Sequence, residues 1–374
     1  PISNAICSYW SGLDEELSLE NMKKIMGEVS EDTVSIQNAD TGKNDTSWEE
    51  YSEAFTNGLD IVGYNYMEDK YPLDHEMFPE RVILGSENYP KEIGIHWPMV
   101  ESTPYVIGDF TWTAYDYIGE AGIGKSVFLA NDADVDINGC LLPQGAYRSI
   151  VWGNNKTYLY SYDPDVFGKK ELIGNWGFTN VTKNWNWKDA DQKPVQVAVF
   201  SNGDEVELIQ NGTSVGKLTS GTRLAAELPH SFLFDLTYLP GTLEAVSYKD
   251  GKEISRDTLV TTGPAKELRL IQEKKELSAN GHEVAYIRVE IVDENGIVVP
   301  DAALRLNAAV EGVGSLAAFG SSNPITDENY TSGTFTSYHG TATAIIRSGY
   351  QTGMCTLTVG CEGLDEKKIA FTIK

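Results

Sequence analysis

The sequence predicts an α/β unit followed by two β-sandwiches, and three observations carry that prediction. From Pro1 to about Asp163, short continuously apolar runs alternate with helical stretches. Apolar strands of that kind belong to parallel sheets covered on both faces. From about Lys193 the pattern changes to period-2 alternation broken by Asn202-Gly203, Asn211-Gly212 and Asp250-Gly251, the turn chemistry of tight hairpins. After Thr261-Thr262-Gly263-Pro264 a second series of evenly spaced short strands continues to Lys374, as in a further sandwich.

In the first region, Ile2–Tyr9, Leu59–Tyr66, Arg81–Ser86 and Tyr105–Trp112 read as buried strands, with helices at Leu19–Val29, Trp48–Phe55 and Gly145–Trp152. The stretch Gly168–Gln192, rich in Trp, Asn and Asp, connects this region to the next. The middle unit takes strands at Val195–Ser201, Glu205–Gln210, Thr213–Lys217, Ser231–Leu236 and Thr242–Lys249. The last takes Glu267–Gln272, Tyr286–Val292, Leu304–Val310, Gly340–Arg347 and Gly353–Val359. The units so defined are residues 1–188, 189–263 and 264–374.

Lys and Arg total 29 against 55 Asp and Glu, a formal net charge of −26. A field of that sign repels phosphate backbones and anionic lipid, which argues against nucleic-acid and membrane-surface partners and suits a neutral substrate such as a sugar. No run approaches the roughly 20 apolar residues of a membrane span, and Pro1–Trp10 lacks the basic flank and apolar core of a secretion signal. The compartment stays open among bacterial cytoplasm, periplasm and exterior. Five Asn-x-Ser/Thr sequons, at Asn44, Asn155, Asn180, Asn211 and Asn329, would matter only in a eukaryotic secretory host.

Cys7, Cys140, Cys355 and Cys361 have no metal-ligand spacing, and Cys355 and Cys361 fall on one strand; all four read as free thiols. Neither zinc, a Cys–His nucleophile pair nor any cofactor is expected. Asn131–Cys140 (NDADVDINGC) alternates Asp132, Asp134 and Asp136, but Ile137 stands where a calcium loop needs Gly and Pro143 where it needs Glu. The expected role is a polar loop whose carboxylates cap the following helix.

Catalytic groups in a parallel α/β unit lie at the C-terminal ends of strands. The strand Arg81–Ser86 ends at Glu87, in RVILGSEN, an acid that is costly against an apolar strand end unless it has a task or a partner. The preceding strand ends in GYNY and the following one in VIGDFTWTAYDYIGE, so three ends direct polar and aromatic groups to one face. In this order and spacing the three segments resemble strands six to eight of the catalytic barrel of glycoside hydrolase family 2, the β-galactosidase type, with ISNAIC as strand five. DVDINGCLLPQGAYRSIVW resembles the last barrel loop and helix. VQVAVFSNGDEVELIQNGTSVGK and LSANGHEVAYIRVEIVDENGIVVPDA resemble the family's C-terminal sandwich modules.

The resemblance implies a partial (half) TIM (β/α)8 barrel followed by two immunoglobulin-like β-sandwiches. It implies Glu87 as the catalytic nucleophile of a retaining glycosidase and Trp112 as the aromatic floor of the sugar subsite, with Asn65, Tyr66, Asp116 and Glu120 as further substrate contacts. A Tyr66 hydroxyl beside Glu87 would hold the carboxylate ionised and oriented. It implies a carbohydrate substrate, a β-galactoside before a β-glucuronide or β-mannoside. Such enzymes need a second carboxyl about 5–5.5 Å from the nucleophile, and in this family it ends strand four. This sequence opens at strand five, so the chain alone is expected to be inactive, with Glu120 and Glu68 as poor substitutes. A half barrel leaves buried backbone groups unpaired at about 1–3 kcal/mol each, so the missing N-terminal half or a second copy, as a homodimer, is expected to close it.

Two other readings stand beside this one. A non-catalytic carbohydrate-binding or adhesion protein would use solvent-facing Trp176, Trp185 and Trp187, against which stands a reading of these tryptophans as inter-domain packing. A structural reading makes the sandwiches, Glu267–Lys374 above all, spacers that brace the barrel or mediate dimers. Glu87→Gln separates the first two, because a binding module has no need of that carboxylate.

Overall fold

The computed structural model describes residues 52–119, 128–169, 173, 176–220 and 228–374. Ile2–Tyr9, Leu19–Val29, the first half of Trp48–Phe55, Cys7 and Glu120 lie outside the described residues. Residues 52–56 are helical. The described chain is mostly β-sheet, arranged as five sheets. The described residues divide into two compact units, 52–89 with 96–111, and 90–95 with those from 112 to 374.

The first unit holds a parallel sheet in the order β1 (Val62–Asn65), β2 (Ile83–Asn88), β3 (Val106–Thr111). Val62 pairs with Ile83 and Ile83 with Val106, and these three apolar residues join Tyr64, Met67 and Tyr71 in one buried cluster. β1 is shorter than the text suggests. Leu59 and Ile61 are exposed, in a turn opened by Gly58 at φ +96°. β2 instead runs on through Glu87 to Asn88.

Two helices follow β1 and β2 that the apolar pattern leaves unmarked, α1 (Tyr71–Met77) and α2 (Ile93–Ser102). Each contains a proline, which suppresses a helical reading. Pro72 sits in the first turn of α1, where its missing N–H is harmless. Pro98 lies inside α2. Leu73, Met77, Met99 and Val100 pack on the sheet cluster. Asp74, fully buried, accepts from Tyr64 Oη at 2.9 Å and pairs with Arg81 Nη1 at 2.6 Å. Removing one member of such a buried pair strands the other charge in the core.

In the second unit, α3 (Pro143–Val151) precedes β4 (Tyr158–Ser161), a strand the sequence reading does not anticipate. β4 pairs with β5 (Pro194–Phe200), and β5 with β8 (Ser231–Thr237). β6 (Glu205–Gln210), β7 (Thr213–Thr219), β9 (Thr242–Lys249) and β10 (Lys252–Val260) form the facing sheet in the order β10-β9-β6-β7. Leu159, Val195, Val197, Val199 and Phe232 from one sheet meet Val206, Leu208, Leu243, Ala245 and Leu259 from the other. Alternating burial along β6 shows why the text reads as period 2.

The last sandwich pairs the sheet β11-β13-β17-β15 with β12-β19-β18-β14-β16. Its strands are β11 (Glu267–Gln272), β12 (Glu276–Leu277), β13 (Val284–Val292), β14 (Arg305–Gly312), β15 (Gly314–Gly320), β16 (Thr334–Thr336), β17 (Thr341–Ser348), β18 (Gly353–Cys361) and β19 (Leu364–Ile373). Ala285, Ile287, Val289 and Ile291 of β13 face Leu357, Val359 and Phe371 in a shared core. Cys355 and Cys361 both lie on β18 as free thiols, and Cys140 is free as well.

Trp185 corrects one alternative reading. It is 1 % exposed inside the first sandwich, with Nε1 donating to Leu239 O at 3.2 Å. Trp187 packs against the same core and donates to Ser161 Oγ at 3.1 Å, while Trp176 is half-buried. Apolar contact wins over solvent exposure for the first two rings, so neither offers a glycan platform. Between them, Asn186 donates to Thr262 Oγ1 and Asp301 Oδ1 and accepts from Thr262 N, fastening the junction of the two sandwiches.

Candidate active site at the strand ends

The C-terminal ends of β1 and β2 bring together three of the residues singled out in the sequence. The ladder shifts register between Tyr64 and Asn65, which places Asn65 opposite Glu87. Tyr66 follows at φ +56°, and its N–H donates to Glu87 O at 2.7 Å. Its side chain turns back along the same strand end, where the hydroxyl donates to Glu87 Oε2 at 3.1 Å. The Tyr66 ring stacks on Tyr89 with centroids 4.3 Å apart. One carboxylate oxygen is therefore held by a phenol that is itself held by a second ring. Glu87 remains half-buried, open enough to meet a ligand.

Asn65 is buried, and its Oδ1 accepts from Ser86 Oγ at 2.7 Å. One position beyond Glu87, Asn88 donates through Nδ2 to Asp109 Oδ2, and its carbonyl accepts from Thr111 Oγ1 at 3.4 Å. The three strand ends are thus laced by polar side chains. Room for this lacing is made by Gly85, where an added Cβ would lie 2.8 Å from Tyr71 Oη and against the Asn88 amide. Burial, with Glu68 and Asp109 nearby, pushes the Tyr71 hydroxyl up, so it stays protonated at any ordinary pH. Glu68 is buried in the short 3-10 turn Glu68–Lys70 after β1. Ser86, Asn88, Tyr89 and Asp109 escaped the sequence reading. Asp109 carried a signal, being an acid within the otherwise apolar Tyr105–Phe110 run.

In the other compact unit lie Trp112 and Asp116. Trp112, half-buried, is joined to Thr113 by a cis peptide bond, and its Nε1 donates to Tyr117 Oη at 3.1 Å. Asp116 is buried, and Oδ1 accepts from Tyr117 N at 3.0 Å and Asn131 N at 2.8 Å. Burial pushes its pKa up, aided by the nearby Asp136 charge and opposed by the two N–H donors. Backbone bonds from Asp116 N to Val135 O, Val135 N to Ala114 O and Asp134 N to Thr113 O zip the two strands of this segment together.

The acidic loop does not cap the helix as expected. α3 takes Leu142 as its N-cap with no side-chain bond. Asp134 instead pairs with Arg148 Nε at 2.7 Å, and Asp136 Oδ1 accepts from Asn138 N and Cys140 N within its own turn. The local backbone donors lie closer to Asp136 than the helix start does, so the turn claims its carboxylate.

A carboxylate fixed by a phenol at the end of a parallel strand is equipped to attack an electrophilic carbon or to hold a sugar hydroxyl. Comparison with known proteins bears on that choice. A family model described as glycoside hydrolase family 2 C-terminal domain 5 matches residues 268–370, and one described as a domain of unknown function (DUF4982) matches residues 192–255. A β-galactosidase of Bacteroides ovatus is 24% identical over 82% of this chain and 38% of its own length. A β-galactosidase of Thermoanaerobacter pseudethanolicus is 28% identical over 60% of this chain and 29% of its own. A solved glycosyl hydrolase family 2 member from Bacteroides cellulosilyticus is 30% identical, with a TM-score of 0.80 over 87% of this chain and 43% of that one. The chain spans less than half the length of each of these relatives.

Proposed function

Because the chain belongs to glycoside hydrolase family 2 and matches a C-terminal portion of its members, we propose that Glu87 is the nucleophile of a retaining β-glycosidase. The observation that supports this most directly is the hydrogen bond from Tyr66 to Glu87 at adjoining parallel strand ends. In this reading β1, β2 and β3 are strands six to eight of a (β/α)8 barrel, and the two sandwiches are immunoglobulin-like. Glu87 attacks the anomeric carbon and forms a glycosyl ester as the aglycone oxygen leaves with a proton from an acid; water, deprotonated by the same group, then releases the sugar. Tyr66 keeps one carboxylate oxygen aligned so that the other meets the sugar. Trp112 offers its ring face to the C–H face of the sugar, and Asn65, Asp116 and Glu120 bind hydroxyls.

The acid/base and the remaining barrel strands belong, in this proposal, to the N-terminal part that the relatives carry and this chain does not span; a second copy of the chain is the alternative source. The substrate is a terminal β-galactoside, the class named for both curated relatives above.

An aryl 2-deoxy-2-fluoro-β-galactoside with an activated leaving group tests the assignment, since its first step needs no proton donor. The adduct is expected on Glu87 by peptide mass spectrometry and is expected to vanish in Glu87→Gln. An adduct on a different carboxylate would overturn the nucleophile assignment, and preferential labelling by the matching β-glucuronide would overturn the substrate class. Unactivated β-galactosides are expected to remain intact with this chain alone.

A further inference from the structure

The segment that carries Trp112 and Asp116 is gripped at two places by the last sandwich, within the same compact unit. The first place is Phe128. Its N–H donates to Pro324 O at 3.1 Å, and its ring stacks on Tyr330 with centroids 6.0 Å apart. Tyr330 stacks in turn on Phe335, which is fully buried in the sandwich core, and its hydroxyl donates to Ser321 O at 2.9 Å. An unbroken series of rings therefore joins the loop to the core. Pro324 and Tyr330 both lie in the connection between β15 and β16.

The second place is the tip Asn138–Cys140. Asn138 Nδ2 reaches Gly320 O at 3.5 Å, and burial pushes the Cys140 thiol pKa up, opposed by the charge of Arg288 on β13. Glu290 alternates along β13 with the core residues Val289 and Ile291 and so points away from the core, on the same side as exposed Tyr286 and Arg288. It is nevertheless only 6 % exposed, held by Arg269 Nη2 at 2.6 Å and Arg288 Nε at 2.9 Å. Its charge is felt at Cys140.

Between these anchors, residues 129–135 carry the partners of Asp116 and its neighbours: Asn131 N and Val135 O for Asp116, and Asp134 N for Thr113 O. Whatever fixes Phe128 and the 138–140 tip fixes those partners, and through Tyr117 the Trp112 indole as well. We propose that the last sandwich is a positioning element of the sugar site, with Phe128, clamped by Tyr330 and Pro324, as the positioning residue that keeps Asp116 and Trp112 in place. The sandwich is then more than a spacer, and its contribution lies in substrate binding, because Glu87 stands on a separate strand.

This proposal rests on the reading that Asp116 and Trp112 contact the sugar, and the test separates the two. Hydrogen–deuterium exchange is read by peptide in Phe128→Ala and Phe128→Tyr. Phe128→Ala is expected to speed exchange of the amides of Tyr117, Asn131 and Val135 about tenfold while β13 and β17 keep their protection, and Phe128→Tyr is expected to restore it. Unchanged exchange in the loop overturns the clamp; acceleration spread equally into β13 and β17 also overturns it, since Phe128 would then only stabilise the sandwich. With the activated fluorogalactoside, Phe128→Ala is expected to raise the concentration that half-saturates labelling of Glu87 about tenfold with the maximal labelling rate little changed, and an unchanged half-saturating concentration beside a loosened loop overturns the link to substrate. Labelling that survives Glu87→Gln overturns Glu87 as the nucleophile by itself and leaves the exchange result standing.

Discussion

The hydroxyl that reaches Glu87 is a single atom whose removal leaves the ring stack on Tyr89 in place. A hydrogen bond to a charged group is worth about 1.5–3 kcal/mol, so Tyr66→Phe is expected to lower kcat/KM on an activated glycoside roughly 10- to 100-fold with no large change in thermal unfolding. A variant as active as the parent would mean that Tyr66 only packs. The acid itself was legible, because an ionisable residue ending an apolar run is conspicuous in text. What holds it was not. The meeting of Tyr66 with Glu87 depends on the register shift after Tyr64 and on a left-handed backbone at Tyr66, and neither leaves a mark in hydrophobic periodicity. Asn88 and Asp109 escaped for the same reason, since their bond runs between strands rather than along one.

Elements with one face in a core were read well, and elements at edges were not. β6 and β11 begin and end where alternation predicts. β10 and the first half of β19 are dense in Lys, Glu, Arg and Asp, because β10 is an edge strand and β19 directs those residues to solvent. Charge therefore hides both from a search for apolar period 2. The turn between β12 and β13 gives an element-level prediction. Glu283 there accepts from Ser278 N at 2.6 Å and pairs with Lys274 Nζ at 3.1 Å, and these contacts, the Ser278 N–H first, pull its pKa from 4.5 down to about 2. A folded value below the unfolded one means stability that is present above about pH 4.5 and lost as pH falls toward 2. Glu283→Gln is expected to flatten part of the loss of stability over that window, as followed by urea unfolding at stepped pH. A profile identical to the parent's would remove Glu283 from the acid response.

At the scale of the whole molecule, the two sandwiches are separate cores fastened by a few polar bonds. Asn186 makes three of them, to Thr262 and Asp301, while Thr261 Oγ1 donates to Trp185 O and Asp293 accepts from Gly263 N. Asn186→Ala is expected to free the junction, so that limited proteolysis cuts within residues 261–265 about fivefold faster while each core stays protected. Equal cutting rates would assign the fastening to the packing around it. The change from a parallel sheet to antiparallel ones was visible as a change of texture in the sequence, because sheet type governs how apolar residues are spaced. The bonds across the junction come from asparagines and threonines indistinguishable in text from turn residues.

Heredity acts on Glu87 and Tyr66 as one parcel. They lie 21 residues apart in the chain and on neighbouring hydrogen-bonded strands. A recombination point falling outside that short interval transmits the acid and its hydroxyl together. Lineages can therefore trade sandwiches, loops and whole flanking segments by gene shuffling, while the pair passes intact from one chimaera to the next.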